Sequence, residues 1–175
     1  MIKKSKRLII AFVFSLIFLT GIITCIICNL AISGNLTWSL IPVISICFSW
    51  LLMFPNIIFR KKGIEISLIS LSIIIVPYLY LLSSLTGAEA VFSLGSVLAL
   101  PSIVFLWIVY AVFKCFEKTR KSVAWGITFL SAIPFLFIIN LILHKMIAEP
   151  IFDVWDLLSV FILLISAVIS LNKKQ

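Results

Sequence analysis

Six long apolar runs divide the chain, at about 8–32, 38–59, 64–85, 90–113, 122–143 and 151–171. Each is close to the ~20 predominantly apolar residues that a helix needs to cross ~30 Å of hydrocarbon. The polar breaks between them are short and alternate in character. Those near 33–37, 86–89 and 144–150 carry Gly, Asn, Thr or acidic residues, whereas those near 60–63 and 114–121 are basic. The expected fold is all-α, a polytopic membrane bundle of six transmembrane helices. They pair as three hairpins in a single integral membrane domain over residues 1–175.

Composition strengthens this reading. The 175 residues are 63% hydrophobic and 11% charged, with mean hydropathy +1.32. A soluble domain is about 45–50% apolar and about 25% charged. The net charge of +8 raises nucleic acid as a partner, but the placement of the charges argues against it. Lys3, Lys4, Lys6 and Arg7 precede the first run, Arg60, Lys61 and Lys62 follow the second, and Lys114, Lys118, Arg120 and Lys121 follow the fourth. Lys173 and Lys174 close the chain, and Lys145 alone lies elsewhere. Lys and Arg collect on the cytoplasmic side of a membrane. The pattern therefore predicts a multi-pass protein of the cell membrane with both termini cytoplasmic. Attraction to anionic headgroups is a secondary use of the same charges. The expected partners are the bilayer and either another membrane protein or a second copy of the chain, without nucleic acid.

The first run has the preceding basic residues of a secretory signal, and Ala31 and Ser33 resemble a cleavage site. Signal h-regions are about 7–15 residues, so this longer run reads as a retained helix. Asn35-Leu36-Thr37 matches a glycosylation acceptor. It lies in a turn against the membrane, in a chain of bacterial style, and is discounted. Cys25 and Cys28 form a C-x-x-C, but a zinc site takes four ligands and the one histidine, His144, is far along the chain. No metal and no cofactor are expected, and the thiols read as small apolar fillers.

Proline falls inside the runs at Pro42, Pro55, Pro77, Pro101 and Pro134. Each removes a backbone donor, and membrane helices tolerate this where neighbours satisfy the freed carbonyl. Pro77, beside Tyr78 and Tyr80, is the candidate hinge. The starts "NLTWSL", "AEAVFSL" and "FDVWDLL" echo one another weakly, as interfacial aromatics do without any repeat.

Catalytic constellations are scarce. The stretch "EPIFDVWDLL", 149–158, is the exception. Glu149 and Pro150 read as the start of the last helix, with Pro at its first position. Asp153 and Asp156 then share one face. A helix dipole favours acids in a first turn, which accounts for Glu149 and Asp153. Asp156 needs more, because so few residues follow it that the helix must carry it slightly below the outer interface. An ionisable group there should face protein or water. Asn140 and His144, four apart on the fifth helix, and Lys145 beside them are the expected partners. The cluster Asn140, His144, Lys145, Asp153 and Asp156 reads either as a ligand site or as a hairpin clasp in which Lys145 pairs with an acid. The small pairs Ser67/Ser70 and Ser93/Ser96 read as helix packing.

At "NLAISGNLTWSLIPVISICFSWLLMFPNIIFRKKG", 29–63, the chain resembles a family of bacterial six-span membrane proteins of unknown function. The resemblance rests on Asn29, the Ser33-Gly34 turn, Trp38 and the span that ends at Pro55 and the basic loop. Many members carry an N-terminal zinc ribbon, which these seven residues before the first span do not supply. No catalytic residues are assigned to that family, so the resemblance implies a fold and no chemistry.

Two functions follow as expectations. The first is a non-enzymatic accessory, sensor or immunity-type membrane partner. The alternative is a small transport or substrate-binding subunit with an outward-facing polar site. An intramembrane enzyme is disfavoured by the shortage of ionisable groups.

Overall fold

Every apolar run forms a helix. The computed structural model describes residues 2–36, 38–59, 62–116, 121–147 and 150–172, with backbone alone for 2–6. Among these, the six α-helices are α1 (Ile2–Ser33), α2 (Leu40–Ile58), α3 (Gly63–Thr86), α4 (Glu89–Cys115), α5 (Lys121–Ile147) and α6 (Val154–Asn172). All six are long and apolar enough to cross a membrane, and no strand occurs among the described residues.

The helix ends differ from the hydropathy boundaries in an instructive way. Helix α1 begins at Ile2, six residues before the apolar run, because intrahelical bonding does not stop where hydrocarbon does. Helix α5 likewise runs to Ile147, which carries His144 and Lys145 into its last turn. Helix α6 starts later than expected, at Val154. Pro42 is the third residue of α2, within the first turn, where N–H groups have no intrahelical partner to lose. Pro55, Pro77, Pro101 and Pro134 sit inside helices that continue through them.

The chain divides into two compact units, Met1–Ser96 and Val97–Gln175, with the boundary inside α4. In the first unit α2 packs against both α1 and α3. Two hydrogen bonds pin α1 to α2 in antiparallel register. The Trp50 indole N–H donates to Ser15 Oγ at 3.0 Å, and Asn29 Nδ2 donates to Ser39 Oγ at 2.8 Å. On the other side of α2, the Ser45 and Tyr78 hydroxyls lie 3.0 Å apart. The Tyr78 ring stacks on Phe48 with centroids 4.2 Å apart. Ser67 Oγ donates to the Leu52 carbonyl at 2.6 Å.

Helix α3 starts in direct contact with the end of α2. A Cβ at Gly63 would stand 2.8 Å from Asn56 Cα and 2.9 Å from the Pro55 carbonyl oxygen. Only hydrogen fits there. The opposite end of α3 closes on Gly87, whose φ of 67° is the left-handed cap that glycine adopts without a Cβ penalty. Tyr80 and Phe92 meet edge to face across the following turn, with centroids 5.7 Å apart.

In the second unit α5 and α6 pack closely through small residues. Ala124 is 1% exposed and Ala167 2%. A Cβ on Gly126 would come within 2.7 Å of Leu171 Cγ. The Ser122 hydroxyl donates to the Ser170 carbonyl. Close backbone approach through Gly, Ala and Ser is how helices associate where lipid removes the hydrophobic drive between them. Phe105 stacks on Phe135 at 4.4 Å and Phe113 meets Trp125 edge-on at 5.1 Å, which seats the latter part of α4 on α5. Large apolar side chains such as Ile17, Ile73, Val104 and Phe161 are left on the outside, as suits a hydrocarbon solvent.

Candidate functional site

Three of the five residues of the expected polar cluster meet at the start of α6. Asp153 immediately precedes the first helical residue. Its carbonyl accepts the first intrahelical bonds, from the Asp156 N–H at 3.1 Å and the Leu157 N–H at 3.2 Å. The Asp156 carboxylate reaches back, and its Oδ2 accepts the Asp153 N–H at 3.0 Å. Asp153 Oδ1 accepts the Val154 N–H at 2.7 Å. With Asp153 as N-cap and Asp156 three residues on, this is the back-bonding half of a capping box, with Asp in the place of Glu or Gln. From α5, the Asn140 side chain hydrogen-bonds the same Asp156 carboxylate.

This corrects the sequence reading in one respect. Pro150 is not the first helical residue, because the backbone over 150–153 is non-helical. Glu149 lies outside the described residues. Asp156 is therefore in the first turn of α6, where an acid is favoured by the helix dipole. The 19 residues of α6 span about 28 Å at ~1.5 Å per residue, close to the hydrocarbon thickness. Capping explains an acid at that position.

His144 and Lys145 occupy the last turn of α5, both exposed, where the negative end of the helix dipole favours cations. Lys145 forms no ion pair with Asp153 or Asp156 among the described residues. Near the start of α6, the neutral amide of Asn140 on Asp156 joins it to α5. Phe137 and Phe152 add a ring contact below it, with centroids 5.5 Å apart. Pro77 is exposed in an unbroken α3, and the neighbouring Tyr78 is tied to α2 through both its ring and its hydroxyl.

At the turn between α1 and α2, Asn35 and Thr37 are of the residue types expected to cap α2. Thr37 lies outside the described residues. Ser39 is the N-cap, without a side-chain capping bond, because its hydroxyl is turned inward to Asn29. Trp38 is exposed beside it, as suits an interfacial anchor.

Two clefts run along the α1–α2 seam, and the search for ionisable clusters in the sequence did not find them. One, of about 530 Å³, is lined by Leu8, Ile9, Phe12, Ser15, Phe54 and Ile58. The other, of about 450 Å³, is lined by Phe18, Leu19, Ile22, Ile46, Cys47 and Trp50 among others, and Ser15 again borders it. The bond from Trp50 to Ser15 satisfies the most polar atoms of both, so the walls offer hydrocarbon. The sequence signal was the recurrence of Leu8, Phe12, Ser15, Leu19 and Ile22 at alternating four- and three-residue steps, the spacing of one helix face. It is hard to single out where nearly every residue is apolar. No family model, curated protein or solved structure matches the chain.

Proposed function

We propose that this chain is a non-enzymatic accessory protein of the membrane that works by lateral association with another transmembrane helix. One observation carries the reading: the cleft on the α1–α2 seam between Phe18, Leu19, Ile22, Ile46, Cys47 and Trp50 is apolar, and Leu19 and Leu51 on its walls are exposed. A partner helix could enter it from the lipid, and small and aromatic residues along its walls suit helix packing. The intramembrane polar side chains support the same reading, since Ser15, Trp50, Ser45, Tyr78, Asn140 and Asp156 all engage protein groups. The transport alternative needed Asp153 and Asp156 as an outward-facing site, and their capping bonds weaken its support. On this reading the chain lies in the cell membrane, with its basic loops and both termini in the cytoplasm.

The test is co-purification of the tagged full-length chain from native membranes, beside a Leu19→Trp variant that fills the cleft. The reading expects a discrete membrane protein retained by the wild type and lost with the variant. It is overturned if no membrane protein is specifically retained, or if the folded variant retains the same set.

A further inference from the structure

Four prolines interrupt helix interiors, and three of them are braced against bending. Around Pro77, α3 is tied to α2 before the proline by Ser67 on the Leu52 carbonyl. It is tied to α2 again after it, by Tyr78 on Ser45 and Phe48. Around Pro134, α5 is tied to α6 first at Ser122 and Gly126 and then at Asn140. Pro55 falls in the last turn of α2 and is buried, beside Gly63 at the start of α3.

Pro101 is placed differently. Before it, α4 rests on α3, where Gly95 faces Leu79 and Phe92 meets Tyr80. After it, α4 rests on α5, where Phe105 stacks on Phe135 and Phe113 meets Trp125. The two braces belong to different compact units, which divide between Ser96 and Val97. Pro101 has no N–H, so the carbonyl four residues back, that of Val97, loses its helical donor. The neighbouring hydroxyls are directed elsewhere. Ser102 Oγ donates to the Leu98 carbonyl at 2.7 Å and Ser96 Oγ to the Ser93 carbonyl at 3.2 Å. A serine bonded to the carbonyl four residues back also bends a helix. The missing bond and the bending serine thus fall just past the division, where Val97, Leu100 and Val104 are exposed.

We infer that α4 is hinged at Pro101, so that its first part moves with α3 and its latter part with α5. Helices bend sharply where a proline interrupts the hydrogen-bond ladder, and a hinge concentrates the change in a few residues. At Pro77 and Pro134 a single partner helix grips both sides of the proline, which suppresses bending there. That difference favours Pro101 over Pro77, the hinge candidate of the sequence. A flexure of ~20° over the ~21 Å from Pro101 to Cys115 moves the end of α4 by about 7 Å. The bonds within each unit stay intact as it does so. The hinge goes beyond lateral association at the α1–α2 seam, and its failure would leave the co-purification result untouched.

The test measures distances between paired spin labels on the full-length chain in nanodiscs, with Cys25, Cys28 and Cys47 replaced by serine. Cys115 is labelled together with a Lys62→Cys substitution, which places the two labels in different units. Asn35→Cys with Lys62→Cys, on a Cys115→Ser background, gives a pair within the first unit. All of these label positions are exposed. The first pair is expected to show a distance distribution broader than the second by about 7 Å. Pro101→Ala, which restores the missing N–H, should narrow it to the width of the second pair, whereas Pro134→Ala should leave it broad. Equal widths for the two pairs overturn the hinge. So does a folded Pro101→Ala protein that stays broad, or a Pro134→Ala protein that narrows as much. If Pro101→Ala does not fold, the comparison of the two pairs with Pro101 in place decides alone.

Discussion

Asn29 and Ser39 are both fully buried, and the Asn29 amide donates to the Ser39 hydroxyl at 2.8 Å. They face each other across the turn between α1 and α2, one near the end of α1 and the other at the cap of α2. The other buried residues among those described are Ala, Gly and Pro, and this polar pair helps to fix the register of the first hairpin. Asn29 makes a further interaction besides this bond. Asn29→Ala should therefore cost more than Ser39→Ala. Interhelical hydrogen bonds in membranes average about 0.6 kcal/mol, whereas leaving a buried donor unsatisfied costs about 1–3 kcal/mol. A double-mutant cycle followed by unfolding in mixed micelles should give a positive coupling energy. Additive single variants would contradict the pairing.

Gly63 and Gly87 both require glycine, but for different reasons that substitution separates. At Gly63 the obstacle is backbone, with Asn56 Cα 2.8 Å from where a Cβ would be. At Gly87 there is open space and the obstacle is the dihedral, φ 67°. Gly63→Ala should destabilise by about 1–3 kcal/mol, as overpacking does. Gly87→Ala should cost about 1–2 kcal/mol, and Gly87→Asn distinctly less, since Asn tolerates the left-handed region. Thermal unfolding of the three variants checks the order, and an Asn rescue at Gly63 would contradict it.

Asp156→Leu removes the carboxylate that accepts the Asp153 N–H and the Asn140 amide. A lost cap costs about 0.5–2 kcal/mol, so this variant should unfold earlier. Asp156→Asn keeps an acceptor oxygen and should lose less. Where the capping role is the whole role, Asp156→Asn leaves partner retention at the wild-type level. Loss of partner retention by a folded, equally stable Asp156→Asn protein would show a ligand role instead.

Basic and non-basic turns predict opposite sides of the membrane. Single cysteines at Asn35 and Glu89, both exposed, in a chain cleared of its native thiols, should label with an impermeant maleimide from outside intact cells. Cysteines at Lys62 and Phe116 should label only after permeabilisation. Any pair of consecutive turns labelling from the same side would break the alternating topology.

Much of the architecture was readable from hydropathy, because a span of lipid-facing helix has a length and composition that physics sets. The ends were less readable. Hydropathy marks where hydrocarbon stops, so it gave 122–143 for a helix that continues to Ile147. At α6 the Glu149-Pro150 pair drew the start too early. The spacing Asp153-x-x-Asp156 was visible in the sequence, and its capping bonds give the true start at Val154. The partners of buried polar groups could not be read at all. Asn29 stood out as polar within a run, but nothing local in the chain names Ser39 as its acceptor, and Ser15 gave no sign that it meets Trp50.

The central claim is lateral association at the α1–α2 seam, and photo-crosslinking tests it most directly. A photoreactive residue at Leu19 or Leu51, both on the apolar cleft, should trap a discrete membrane protein in native membranes. The same residue at Ile165, exposed on α6, should trap lipid alone. Adducts confined to lipid at all three positions, or one protein adduct common to all three, would contradict the claim.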